Sequence, residues 1–295
     1  MFLSVIIPTY NRAKYLKEAL SSLENQDFPK SDFEVVVIND GSSDKTEKVV
    51  SDFKEKLDLK YIKENHRGAS FARNVGVKNA KGEVMVFFDD DATARGDWLK
   101  NIAVIMASEH IITGRVKPAH QNIWRHFAPH YDQGDAPVES EIILEGNCAI
   151  RREVFNNVGL FDENLDYGHE GKEFLARARE KYNIKYYPQA VIYHDYAFGF
   201  FNYLQKQWRF GEKMTYLKRN EIKNIYDLIV NYKKLKSDGH KSTKTPQYHS
   251  KAGYGAGQKH KNIFLVKLIA KCGSGAHFFG AIAGYFKYKN YGRKS

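Results

Sequence analysis

The sequence predicts an α/β protein: a Rossmann-like sheet flanked by helices, followed by a basic helical C-terminal extension. Three observations carry that expectation. Strand, polar loop and helical pattern recur three times in about ninety residues, the signature of a doubly wound sheet with a crevice at its strand ends. The apolar run Val84-Met85-Val86-Phe87-Phe88 stops abruptly at Asp89-Asp90-Asp91. Beyond Phe198 the pattern turns helical and strongly basic.

Taken in order, Ser4-Val5-Ile6-Ile7 is apolar enough for a buried strand and breaks at Pro8-Thr9-Tyr10-Asn11. Leu16, Ala19, Leu20 and Leu23 then recur at helical spacing. The second strand, residues 34–39, ends in Asp40-Gly41-Ser42-Ser43-Asp44, where Ser43 or Asp44 can cap the next helix. A short strand at 60–63 and a helix at 69–80 follow. The run 84–88 reads as a parallel strand buried on both faces, with Asp97 positioned to cap a helix at Trp98. A helix through 102–108 and a strand at 111–116 come next. Residues 117–140 hold Pro118, Pro129 and Pro137 and read as a loop excursion over the site. Residues 142–150 read as a strand, 151–158 and 171–181 as helices, and 184–187 and 190–193 as short strands ending at His194-Asp195. Tyr203, Leu204, Trp208, Met214 and Leu217 lie on an apolar stripe within a helical region at 198–235. Residues 236–261 read as a mobile linker and 263–286 as a last apolar helix. The expected division is a main domain over 1–195 and an extension over 196–295.

A chain of 295 residues can bury a full core. Cys148 and Cys272 are too few for a disulfide framework and fit a reducing compartment. The N-terminus lacks a basic leader and reads as the first strand, so a cytoplasmic location is expected. The net charge of +11 is unevenly placed: residues 1–195 hold 26 Lys and Arg against 31 Asp and Glu, residues 196–295 hold 20 against 4. That asymmetry suggests an anionic partner for the extension, either a membrane surface or a polyanion; no nucleic acid is expected as partner, and the plainer reading is a solvated face. The longest stretch there without charge, 272–286, falls short of the roughly 20 residues needed to span a bilayer. There is no Gly-x-Gly-x-x-Gly and no Gly-Lys-Ser phosphate loop, which excludes a dinucleotide fingerprint and a P-loop.

Three adjacent carboxylates at a strand mouth repel one another. A divalent cation, Mn²⁺ or Mg²⁺, would neutralise them and could carry phosphates. The competing reading is an exposed acidic turn before the next helix.

At four places, Val5-Ile6-Ile7-Pro8-Thr9-Tyr10-Asn11, Val37-Ile38-Asn39-Asp40-Gly41-Ser42, Ala72-Arg73-Asn74-Val75-Gly76 and Phe88-Asp89-Asp90-Asp91, the sequence resembles family 2 glycosyltransferases. Order and spacing agree over roughly residues 3–195. The resemblance implies a mixed sheet of the GT-A type, a nucleotide-sugar donor, a divalent metal, and transfer with inversion to a glycan or lipid-linked acceptor. Bacterial envelope or exopolysaccharide synthesis is the setting it suggests. It places Thr9 and Asp40 at the nucleobase, with a leaning to uracil, and Arg73 toward the diphosphate. Asp89 and Asp90 fall to ribose and supporting contacts. Asp91, Asp89 and His194 are its metal ligands, and Gly146-Asn147 the loop beneath the acceptor. Each has a plainer alternative, such as a turn hydroxyl for Thr9 or an Asx turn at Asp40.

One departure stands out. The family commonly opens a helix with Glu-Asp, the aspartate acting as base. Here Glu170 matches the glutamate, but Gly171 stands where the aspartate would be, and glycine cannot take a proton. Glu170 is the leading candidate base, with His169, Glu173 or a group from elsewhere in the chain as alternatives; its plainer reading is a helix cap. A nucleotide-sugar-binding protein that has lost catalysis is the alternative. Trp98, Trp124 and Trp208 read as core by default.

Overall fold

A computed structural model describes residues 1–120, 122–128, 131–166, 168–218, 228 and 256–288. The chain divides into two compact units. One comprises residues 1–120, 129–166 and 170–195; the other comprises 121–128, 167–169 and 196–295.

The first unit is built on a mixed sheet of β1 (Leu3–Thr9), β2 (Phe33–Asn39), β3 (Leu59–Lys63), β4 (Val84–Phe88), β5 (Thr93–Ala94), β6 (Ile111–Lys117), β7 (Val138–Glu139), β8 (Asn147–Arg151) and β9 (Ile184–Tyr193). Their order is β3-β2-β1-β4-β8-β6-β9-β5, with β7 paired to β9. β1, β2, β3 and β4 run parallel, while β8 is inserted antiparallel between β4 and β6. The helices are α1 (Ala13–Glu24), α2 (Thr46–Ser51), α3 (Ala69–Asn79), α4 (Trp98–Ile105), α5 (Arg152–Val158) and α6 (Glu170–Ala178).

Alternation along the strands makes two cores. Val5 and Ile7 point to the layer that holds Leu16, Leu20 and Leu23 of α1 and Trp98 of α4. Ile6, Val36, Ile38 and Phe87 point to the other, against Phe71 and Val75 of α3, Phe155 of α5 and Phe174 of α6. Each fully buried Leu or Phe contributes about 1.5–3 kcal/mol. α3 lies so close to the sheet that a methyl group at Gly76 would overlap Ile6.

Several expectations need correction. β4 is parallel to β1 but antiparallel to β8, so its surroundings are mixed. The strand expected at 142–150 begins only at Asn147, because a turn precedes it: the Asn147 N–H donates to the Leu144 carbonyl and the Leu144 N–H to the Thr113 hydroxyl. The two strands expected at 184–193 are one, β9, whose register on β6 jumps after Gly114–Tyr187. Pro188, which has no N–H to give the ladder, sits at the jump. Asp97 does not cap α4; its carboxylate is held by the Arg95 guanidinium at 2.5 and 2.9 Å. Asp44 does serve α2, accepting from the Thr46 N–H at 3.0 Å.

The second unit contains α7 (Phe200–Leu217) and α8 (Ala256–Tyr288). Residues 256–261, expected in the linker, belong to α8; the rest of that linker, and most of the helical reading beyond 218, lie outside the described residues. α7 and α8 pack on glycines. A methyl group at Gly211 would overlap the His277 carbonyl, and one at Gly280 the Trp208 carbonyl. Met214, Leu228 and Ala281 form one apolar cluster, Ala197, Tyr203 and Ile269 another. Among the described residues no helix is long and apolar enough to cross a membrane.

Candidate functional site

Parallel strands bring their C-terminal ends to one edge. Thr9 of β1, Asp40 after β2 and Asp89 to Asp91 after β4 therefore collect there, at the place where open α/β sheets bind ligands.

Asp89, Asp91 and His194 each present a ligand atom, and these atoms lie within 4.8 Å of one another. His194 is delivered by the end of β9, where its N–H donates to the Lys117 carbonyl, and its Nε2 stands 3.1 Å from Asp91 Oδ1. Tyr131 Oη is 3.5 Å from the other ring nitrogen. Two carboxylates and an imidazole suit Mn²⁺ and, less well, Mg²⁺. The donor set fits a divalent cation.

Arg12, at the start of α1, places Nη1 2.5 Å from Asp91 Oδ2 and 3.1 Å from Asp90 Oδ1. Burial opposes its charge, yet the Asp91 and then the Asp90 carboxylates raise the guanidinium above its ordinary range. Burial, and next the adjacent Asp91, pushes Asp90 up to about 7, while the Arg12 guanidinium pulls the other way.

Asp40 is buried and holds the turn at 66–68. Its Oδ1 accepts the Arg67 N–H and its Oδ2 the Gly68 N–H, both at 2.9 Å, with His66 Nδ1 also 2.9 Å from Oδ2. Gly68, at φ 99°, adopts a conformation that favours glycine. An exposed stacked pair flanks this carboxylate: the Tyr10 and His66 rings are 3.9 Å apart.

The third group surrounds Arg73. This arginine is buried in α3 and bridges two carboxylates, Nη1 to Glu170 Oε1 at 2.9 Å and Nη2 to Asp89 Oδ1 at 3.2 Å. Glu170, at the head of α6, is buried too. Burial, then the Glu145 charge, pushes its carboxyl up to about 8. Among the described residues, Glu170 Oε2 and Arg73 Nε have no hydrogen-bond partner. Glu145 reaches the same helix head, its Oε1 accepting the Gly171 N–H at 2.6 Å. Gly146 is needed for room, since a methyl group there would overlap the Asp89 carboxylate.

Other site expectations are redirected. Asn147 does not face a ligand: it is buried, with Nδ2 donating to the Arg115 and Ala190 carbonyls and Oδ1 accepting from Trp98 Nε1. His169 meets the Phe210 carbonyl in the second unit, and Glu173 is paired with Arg177 one turn along α6. Trp98 is core, Trp124 packs on Tyr203, and Trp208 is 42% exposed. Two residues escaped the sequence reading. Arg12 carried only the signal of a cation just after the first strand turn. Glu145 carried that of an acid beside a glycine at a strand start.

A GT-A sheet with two carboxylates and an imidazole gathered at the mouth of its fourth strand points to a class, the GT-A glycosyltransferases. The chain belongs to one family of that class: a profile of glycosyl transferase family 2 matches residues 4–159, more than half its length. The chain is 44% identical over 112 residues to the poly(ribitol-phosphate) beta-N-acetylglucosaminyltransferase TarS of Staphylococcus aureus, covering 37% of this chain and 20% of that protein. It is 28% identical over 244 residues to glycosyltransferase AglE of Haloferax volcanii, covering 78% and 79% of the two. Among solved structures, S. aureus TarS 1-349 in complex with UDP matches with a TM-score of 0.56 and 25% identity, over 73% of this chain and 66% of that one. The fold is also shared with mannosyltransferase PcManGT from Pyrobaculum calidifontis, solved with GDP-Man and Mn²⁺: TM-score 0.65, 19% identity, 99% and 88% coverage.

Proposed function

We propose that this chain transfers a sugar from a nucleoside-diphosphate sugar, uridine-linked by preference, to an acceptor hydroxyl with inversion. The observation that carries this reading is the Asp89–Asp91–His194 triad at the mouth of β4, with Arg73 reaching Asp89 from α3. The nucleobase would lie toward Thr9 and Asp40, beside the Tyr10–His66 stack; Arg73, Asp89 and Asp90 would face the ribose and diphosphate. Asp89, Asp91 and His194 would hold Mn²⁺ or Mg²⁺, which when bound neutralises charge on the departing diphosphate. The acceptor loses its proton at the head of α6, where the sequence points to Glu170. TarS supports a UDP donor, having been solved with UDP. Its name and that of the Bacillus subtilis teichoic acid protein GgaB support a cell-envelope polymer as acceptor.

The second unit would dock on an anionic membrane surface at the inner face of the cell membrane. Supporting this are its excess of lysine and the exposure of Phe201 and Phe279, at 83% and 59%.

The test is thermal unfolding with UDP-N-acetylglucosamine, UDP-glucose or GDP-mannose, with and without Mn²⁺. A ligand that binds only the folded state raises the melting temperature by mass action. We expect a Mn²⁺-dependent rise with at least one donor, lost in Asp91→Asn while that variant still unfolds cooperatively. No rise with any donor would overturn the reading.

A further inference from the structure

We infer that Glu145 is the catalytic residue that receives the acceptor's proton, standing in space for the side chain that Gly171 lacks. The inference rests on the glycosyltransferase reading and names a residue within that site.

The geometry begins at α6. A side chain built on Gly171 would start inside the Glu145 carboxylate: its Cβ would overlap Oε1 and lie 2.8 Å from Cδ. The volume next to the helix head is therefore filled by a carboxylate that comes from the loop before β8. Glu145 is anchored there by the Gly171 N–H at 2.6 Å, so one oxygen is fixed and the group is oriented. The following residue, Gly146, has its Cα against Asp89. Glu145 thus joins the helix head to the carboxylates proposed to carry the donor.

Glu170 is less suited to the task. It is 4% exposed and tied to Arg73, whereas Glu145 is less deeply buried and has Oε1 held by a backbone N–H. Burial raises the Glu145 carboxyl against the opposing pull of Arg73, which suits a group that must accept a proton. Glu170 then acts as a positioning residue, holding Arg73 between itself and Asp89.

In the step, the acceptor O–H gives its proton to Glu145. The oxygen's electron pair forms the new bond to the anomeric carbon. The bond from that carbon to the diphosphate oxygen breaks, its electrons leaving with the diphosphate. Glu145 afterwards releases the proton to solvent. The cycle is balanced and needs no further reactant.

The experiment compares the full chain with Glu145→Gln, Glu145→Asp and Glu170→Gln. It follows nucleoside-diphosphate release from UDP-N-acetylglucosamine, UDP-glucose and GDP-mannose with Mn²⁺, water taking the acceptor's place. Gln still accepts the Gly171 N–H but cannot take a proton. Glu145→Gln should therefore keep its melting temperature and donor affinity while release falls by on the order of 10²-fold or more. Glu145→Asp and Glu170→Gln should both retain more release than Glu145→Gln. Release by Glu145→Gln within about threefold of the parent, or Glu145→Asp as slow as Glu145→Gln, overturns the assignment and leaves the transferase reading intact. Donor binding by the parent without release from any donor overturns it too, in favour of a binding protein. Failure to bind any donor removes the transferase reading itself.

Discussion

Gly171 is a glycine for want of room, since its backbone is ordinary helix. A methyl group there would overlap Glu145 Oε1 and come within 2.5 Å of Ile143 Cγ2. Overpacking of this kind costs about 1–3 kcal/mol. Gly171→Ala should lower the melting temperature by several degrees. Gly171→Asp, which restores the family's residue, should lower it further and leave turnover no higher than the parent's; a gain in turnover would count against the packing account. The neighbouring Glu170 makes a prediction about pH. Its folded-state value, about 8, lies above the ordinary carboxyl value of 4.5, so the folded state binds more protons between the two. Stability falls with pH wherever that is so. The parent should lose stability relative to Glu170→Gln from about pH 5 to 8 and level off above. Denaturant melts across that range measure the difference, and a flat difference would mean that Glu170 ionises normally.

At the scale of elements, the second unit depends on small residues. Gly211 lets α8 approach α7 until the His277 carbonyl fills the space of a side chain, and Gly280 does the same at Trp208. Gly211→Val should push the helices apart and expose Met214 and Ala281; faster limited proteolysis within α7 or α8 would register it, while Asp91-dependent donor stabilisation persists. What the sequence disclosed follows the same division between local and distant contacts. β1, β2 and β4 were legible because each carries its own apolar run and polar terminus. The extent of β8 and the unity of β9 were not, because both are set by partners far along the chain, β8 between β4 and β6 and β9 along β6. The site divides likewise. Asp89, Asp91 and His194 were marked by strand ends and by resemblance. Arg12 meets Asp90 across 78 residues, and Glu145 meets Gly171 across 26, so neither pairing leaves a local trace. Asn147 misled for the opposite reason: it sits in a loop-like motif, yet strand pairing buries it.

For the whole molecule, charge is the organising fact. The last 100 residues hold 20 Lys and Arg against 4 acids, while the sheet-bearing part is net acidic. Exposed charges farther apart than about 10 Å are screened at 0.1 M salt, so attraction to an anionic surface should fade as salt rises. The chain should sediment with vesicles rich in anionic lipid at low ionic strength and release them at high salt. Phe201→Ser combined with Phe279→Ser should weaken that binding at every salt concentration, since it removes exposed apolar surface and no charge. Indifference to anionic vesicles at low salt would dismiss the membrane reading and leave the lysines as a solvated face.

Arg12 gives the site a thermodynamic property of its own. Its guanidinium sits on Asp91 Oδ2, while His194 faces Oδ1 of the same carboxylate. A cation held by the triad would share the Asp91 carboxylate with this arginine, and repulsion between the two would weaken its binding. A donor's diphosphate would offer the arginine a further anion and offset that repulsion. Cation and donor would then promote each other's binding, reciprocally and by the same factor. Titration calorimetry should find Mn²⁺ binding weak alone and tighter with UDP. In Arg12→Ala, Mn²⁺ alone should bind more tightly than to the parent and the advantage conferred by UDP should shrink, making this side chain a latch that keeps an incomplete pair of ligands from settling.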